Sequence, residues 1–174
     1  MIIRASQRRL PGVRTRRVSG PRFMRLSWGT HGVWLFPATY VVHLIEEYYA
    51  AEGFPVWAGQ ALGLTLSGRA FIAWNAVGLA FMCAGAALVA RRATLRWIEI
   101  AMSLAVLTNV AGHVAASVLT ESYSPGVITG VIAWAPLGMV RLPAAYRFAS
   151  RQGRVIGLAV GLAVTLATLA VLTL

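Results

Sequence analysis

Between Val155 and Leu174 the chain carries no charged residue, and between Leu26 and Gly68 it carries no lysine or arginine. An apolar run of about 20 residues spans the ~30 Å hydrocarbon core of a bilayer as a helix. Backbone groups in lipid must be satisfied internally, which a helix does within one segment. Runs of this length restrict the chain to an all-α, polytopic membrane bundle. With 58% of its 174 residues hydrophobic, a soluble domain of this size is excluded.

Five transmembrane helices are predicted, at about 33–50, 69–90, 95–119, 126–141 and 155–174, forming a membrane domain over residues 29–174. Ser67 suits the cap of the second helix, and Ser124 that of the fourth, with Pro125 in the first helical position. Pro143 follows the expected end of the fourth. Residues 53–68 are broken by Gly53, Pro55, Gly59 and Gly63, and read as an interfacial or re-entrant connection. Gly157 and Gly161 form a small-xxx-small pattern suited to close helix packing.

Charge sets the orientation. All 16 basic residues are arginine, and all five acids are glutamate. Eight arginines fall in the first 25 residues, so residues 1–28 are expected to form a disordered basic arm on the cytoplasmic membrane surface, with Met24 an alternative start. The pairs Arg8-Arg9 and Arg16-Arg17 lack the context of a twin-arginine signal, and no cleaved signal peptide is expected. With the N-terminus inside, the cytoplasmic segments hold 15 arginines and the outer side one, Arg69. The net charge of +11 therefore belongs with anionic headgroups, and no nucleic-acid partner is expected. The absence of lysine points to a GC-rich bacterial genome, and the whole pattern to a multi-pass protein of a bacterial inner membrane. Cys83 is the single cysteine, which excludes an intrachain disulfide and a cysteine metal cage.

Against this apolar background, His43, Glu46 and Glu47 stand out. Ionisable groups at bilayer depth cost several kcal/mol each, commonly ~3 on insertion scales, and neither anchoring nor packing requires them. Their i, i+3, i+4 spacing puts all three on one side of the first helix, with Tyr40 a turn below. On the third helix Asn109 and His113 share a face and fall at matching depth, while Asn75 on the second lies in the same outer layer. Glu99 shares that face but sits near the cytoplasmic boundary, where Arg96 or Arg92 is its expected partner. Glu121 and Tyr123 lie at the outer mouth.

The string His43-Leu44-Ile45-Glu46-Glu47 resembles the defining motif of the HXXEE family of bacterial integral membrane proteins. Asn109-x-x-x-His113 and the turn Ser124-Pro125-Gly126 resemble further features of that family. The resemblance implies a helical membrane fold with His43, Glu46 and Glu47 as its signature site, and it implies no activity, because the family is a domain of unknown function. In architecture alone the chain is also similar to the five-helix sterol isomerase (emopamil-binding) group, whose enzymes place His, Glu, Asn and Trp within the membrane.

Three chemistries fit these residues. In the leading one, an enzyme of isomerase, cyclase or hydrolase type performs acid–base catalysis on a lipophilic small molecule. Two adjacent carboxylates in apolar surroundings do not both ionise readily, so one can act as an acid. His43 or His113 is then the base and Glu46 or Glu47 the acid. Asn109 and Asn75 orient the substrate, and Tyr40, Trp74 and Trp134 flank it. In the second, His43, Glu47 and His113 hold a single divalent metal, zinc or iron, with open positions for water. In the third, the groups serve a proton-coupled transporter or simply pin helices together.

Overall fold

A computed structural model describes residues 30–172. The expected basic arm, 1–28, lies outside the described residues. A 3₁₀ turn, Thr30–Trp34, leads into α1 (Leu35–Tyr49). The elements α2 (Phe54–Leu62), α3 (Gly68–Arg91), α4 (Arg96–Leu119), α5 (Val127–Thr129), α6 (Ala135–Phe148) and α7 (Arg151–Leu172) follow. A π-helical turn, Gly130–Trp134, joins α5 to α6 in one rod. No strand occurs among the described residues.

Among the described residues, four helices are long and apolar enough to cross a membrane: Gly68–Arg91, Ala93–Leu119, Val127–Phe148 and Arg151–Ala170. Their outer faces carry large apolar side chains such as Phe81, Ile132, Phe148 and Val155, all well exposed. A soluble fold would bury them. The predicted first span is the exception. At 15 residues α1 is roughly 22 Å long at ~1.5 Å per residue, short of a hydrocarbon core, and it carries two carboxylates.

α4 forms the centre of the bundle. Its buried residues Glu99, Met102, Ser103, Val106, Val110 and His113 recur at three- and four-residue spacing and make one inward stripe. The main core joins Met102 and Val106 of α4 to Ala86 and Val89 of α3, Phe36 of α1 and Trp134 of the π turn. α7 packs on α4 through its glycines: a Cβ on Gly157 would lie 2.6 Å from the Trp97 carbonyl, and one on Gly161 2.9 Å from Leu104 Cβ. The small-residue spacing therefore marks a real helix contact. Glu99, fully buried, pairs with Arg96 at 2.8 Å and with buried Arg141 of α6. The expected arginine partner is present, and Arg141 is a second one that sequence reading missed.

Boundaries differ in two places. Within the stretch expected as an interfacial or re-entrant connection, residues 54–62 form a helix. Pro55 sits in its first turn, where no amide donor is needed, and Gly63 ends it in the left-handed conformation (φ +69°). Ser67 caps α3 as expected, accepting from Ala70 N at 3.1 Å. The fourth predicted span, 126–141, instead runs on through Pro143 to Phe148. Pro143 removes one backbone donor, but the Arg141–Glu99 pair and the contact of Ala145 with Ile100 fasten both sides of it to α4. Ser124 does not cap this rod. A carboxylate from α1 does.

Candidate functional site

Glu46 and Glu47 are adjacent in sequence and do different work. The Glu46 carboxylate reaches the start of α5, where it accepts from Ile128 N at 3.0 Å and Thr129 N at 2.6 Å. These amides lack partners inside their own helix, so Glu46 caps it from another element. Tyr123 donates its hydroxyl to the same carboxylate at 2.6 Å. Tyr123 lies in the turn outside the spanning helices. Burial, and then its bond to Glu46, push its phenol above the usual range.

Glu47 points into the bundle, between two imidazoles. Its Oε1 lies 3.1 Å from His113 Nε2 and 3.5 Å from His43 Nε2. The three residues are 5%, 5% and 0% exposed. The far nitrogen of each ring is held by a hydroxyl: His43 Nδ1 by Thr129 Oγ1 at 2.8 Å, and His113 Nδ1 by Ser124 Oγ at 3.0 Å. Both rings thus turn Nε2 toward the same carboxylate oxygen. Trp134 lies against the His43 ring with centroids 3.9 Å apart, and Phe54 meets His113 at 5.5 Å. These rings keep the cluster dry.

Gly126 closes the cluster. With φ at +103°, a Cβ built on it would lie 2.9 Å from each of Glu47 Cγ, His113 Cε1 and His43 Cε1. Only a glycine lets the backbone pass this close to all three.

The residues singled out from sequence are distributed unevenly. His43, Glu47 and His113 come together, and Trp134 stacks on them. Tyr40 stacks on Trp134 at 5.4 Å and donates to Asn75 Oδ1 at 2.7 Å, while Asn75 donates to Phe71 O at 3.0 Å. Tyr40 and Asn75 therefore form a second ring of contacts, one layer from the imidazoles. Asn109 lies one turn from His113 on α4, with its Oδ1 buried and without a hydrogen-bond partner. Trp74 is 37% exposed on α3, and no hydrogen bond or ring contact ties it to the cluster. Thr129, Phe54 and the role of Gly126 were not foreseen. The Ser124-Pro125-Gly126 turn was the one signal in the sequence that pointed toward them.

A groove of about 460 Å³ runs between α1 and α3, lined by Val41, Leu44, Ile45, Tyr48, Phe71 and Asn75, among others. Asn75 and Tyr40 connect it, through Trp134, to His43.

No curated protein and no solved structure matches this chain. Residues 34–141, which hold every member of the cluster, match the family described as protein of unknown function with HXXEE motif, and the chain belongs to that family.

Proposed function

We propose that the protein is a membrane enzyme performing acid–base chemistry, of isomerase, cyclase or hydrolase type, on a lipophilic small molecule. The observation that carries this reading is the convergence of His43 Nε2 and His113 Nε2 on one buried oxygen of Glu47. A buried His–Glu–His group holds one proton among three basic atoms and can pass it without large motion. Purely structural pairing is a poor alternative, because buried ion pairs contribute little net stability. In this reading Glu47 and the two histidines are the catalytic residues. Glu46, occupied by amide and hydroxyl donors, is a positioning residue that sets Thr129 under His43. An open, mostly apolar groove between α1 and α3 is where a lipophilic molecule would approach in this reading. Asn75 is a polar group on its wall, and Asn109 Oδ1 is a buried acceptor one turn from His113. The same reading places the protein in the inner membrane of a bacterium.

The test is reconstitution of purified protein in liposomes of bacterial polar lipid doped with isoprenoid alcohols and sterol-like polycycles, followed by mass spectrometry of the lipids. A product formed by wild type and lost in a folded Glu47→Gln variant supports the reading. Identical lipid profiles for the two proteins across all classes refute it.

A further inference from the structure

We infer that His43, Glu47 and His113 form a mononuclear binding site for a divalent transition-metal cation of the zinc or iron class. It uses the same side chains as the proposed reaction centre, and rests on that reading only for what the ion would do there.

Geometry is the first support. A tetrahedral ion with bonds of about 2.0–2.1 Å separates its ligand atoms by roughly 3.3 Å. The two spacings from Glu47 Oε1 to the imidazole nitrogens, 3.1 and 3.5 Å, bracket that value. All three ligand atoms lie within 4.8 Å of one another, and binding would draw the two imidazoles toward the ~3.3 Å spacing of a tetrahedral ion.

Proton bookkeeping is the second. The Thr129 hydroxyl lies 2.8 Å from His43 Nδ1. A hydroxyl can accept from Nδ1–H, and in that tautomer His43 Nε2 carries a lone pair. It is fully buried, has no hydrogen-bond partner, and is aimed at an oxygen that is itself an acceptor. Two facing acceptors in a dry site repel unless a proton or a metal cation lies between them, and a metal serves all three groups at once. The Ser124 hydroxyl on His113 Nδ1 can accept in the same way, which would turn a second lone pair inward.

The surroundings are the third. Metal-bound histidines characteristically donate their other ring N–H to an oxygen that fixes tautomer and orientation. Here both rings have such an oxygen, Thr129 Oγ1 on His43 and Ser124 Oγ on His113. Two imidazoles and one carboxylate suit zinc or iron rather than magnesium or calcium, which prefer all-oxygen shells. Three protein ligands leave a position in which the ion could polarise an oxygen of substrate or water.

The test is metal content of the full chain purified in detergent without chelator, beside His113→Ala, His113→Cys and Glu46→Gln, with Co²⁺ added to stripped samples as a spectroscopic probe. The inference expects about one equivalent of zinc or iron in wild type, and a tetrahedral Co²⁺ spectrum on reloading. It expects at least a tenfold loss of metal in His113→Ala and recovery in His113→Cys, because a thiolate can replace the imidazole as ligand. Glu46→Gln should retain the metal with an affinity weakened by ~10–100-fold, the usual effect of an outer partner. Failure of His113→Ala to fold would leave the cysteine variant and the cobalt spectrum to decide. Wild type that is monodisperse, metal-free and silent to Co²⁺ overturns the inference, as does metal that persists in His113→Ala. Lipid turnover that needs Glu47 in a metal-free protein would overturn it while leaving the acid–base reading intact. Bound metal without turnover would do the reverse.

Discussion

Replacing Gly126 by alanine tests the cluster through a residue with no chemistry of its own. Two costs add. Gly126 has φ +103°, and a left-handed residue with a Cβ costs about 1–2 kcal/mol. The new methyl also meets three groups at 2.9 Å, closer than real Cβ contacts come. None of them can yield freely. His43 is held by Thr129 and Trp134, His113 by Ser124 and Phe54, and Glu47 by both rings. Overpacking of this kind costs about 1–3 kcal/mol. Gly63 supplies the control. It too is left-handed, at φ +69°, yet a Cβ there meets nothing within 4 Å. Gly63→Ala should therefore show the backbone cost alone. Gly126→Ala should exceed it by about 1–3 kcal/mol, a factor of roughly 5–150 in the unfolding constant. Denaturation by sodium dodecyl sulfate in mixed micelles, followed by far-UV circular dichroism, measures both. Equal destabilisation of the two variants, within about 0.5 kcal/mol, would refute the close approach of Gly126 to the cluster.

Three further predictions follow from the same contacts. Glu46→Gln weakens charge-assisted bonds to Ile128 N and Thr129 N, each worth about 1.5–3 kcal/mol to a charged group; hydrogen exchange should accelerate at those two amides and not along α7. Arg141→Ala leaves buried Glu99 with Arg96 alone, and should cost about 3–5 kcal/mol, whereas replacing Glu99 and Arg141 together by leucine should cost much less; thermal unfolding of the single and double variants distinguishes these. The Tyr123 phenol is raised in the folded state, so its contribution is fully present below the phenol's ordinary range near pH 10 and is lost as pH rises beyond it. The stability gap between wild type and Tyr123→Phe should be constant up to about pH 9 and narrow above that range.

The long helices were legible because lipid leaves few alternatives: α3, α4 and α7 agree with the apolar runs to within a few residues. The pairing of His43 and Glu47 with His113 could be anticipated from helical spacing and depth. Three things could not. Periodicity says which face of a helix a residue occupies but not which neighbour that face meets, so Trp74 and Asn75, adjacent in sequence, looked equivalent. Asn75 bonds Tyr40, whereas Trp74 turns outward. Proline reads as a stop signal, but tertiary contacts on both sides of Pro143 carry the helix past it. Glu46 and Glu47 look interchangeable in the sequence, and only the start of α5, eighty residues away, separates the helix cap from the member of the cluster.

The π turn at Gly130–Trp134 has an effect that reaches beyond its five residues. Ala135 N bonds to Gly130 O, a step of five rather than four. In a regular α-helix residues five apart point about 140° away from each other, at 3.6 residues per turn; a wider turn brings them nearly into line. Thr129 and Trp134 are five apart, and both address the His43 ring, one at its edge nitrogen and one across its face. The grip on His43 thus depends on how this turn is wound as much as on residue type. Rewinding the same residues as an ordinary helix would leave every side chain of the cluster in the sequence and swing Trp134 off the ring, whereas deleting one residue between Gly130 and Ala133 would set Thr129 and Trp134 four apart and back on one face.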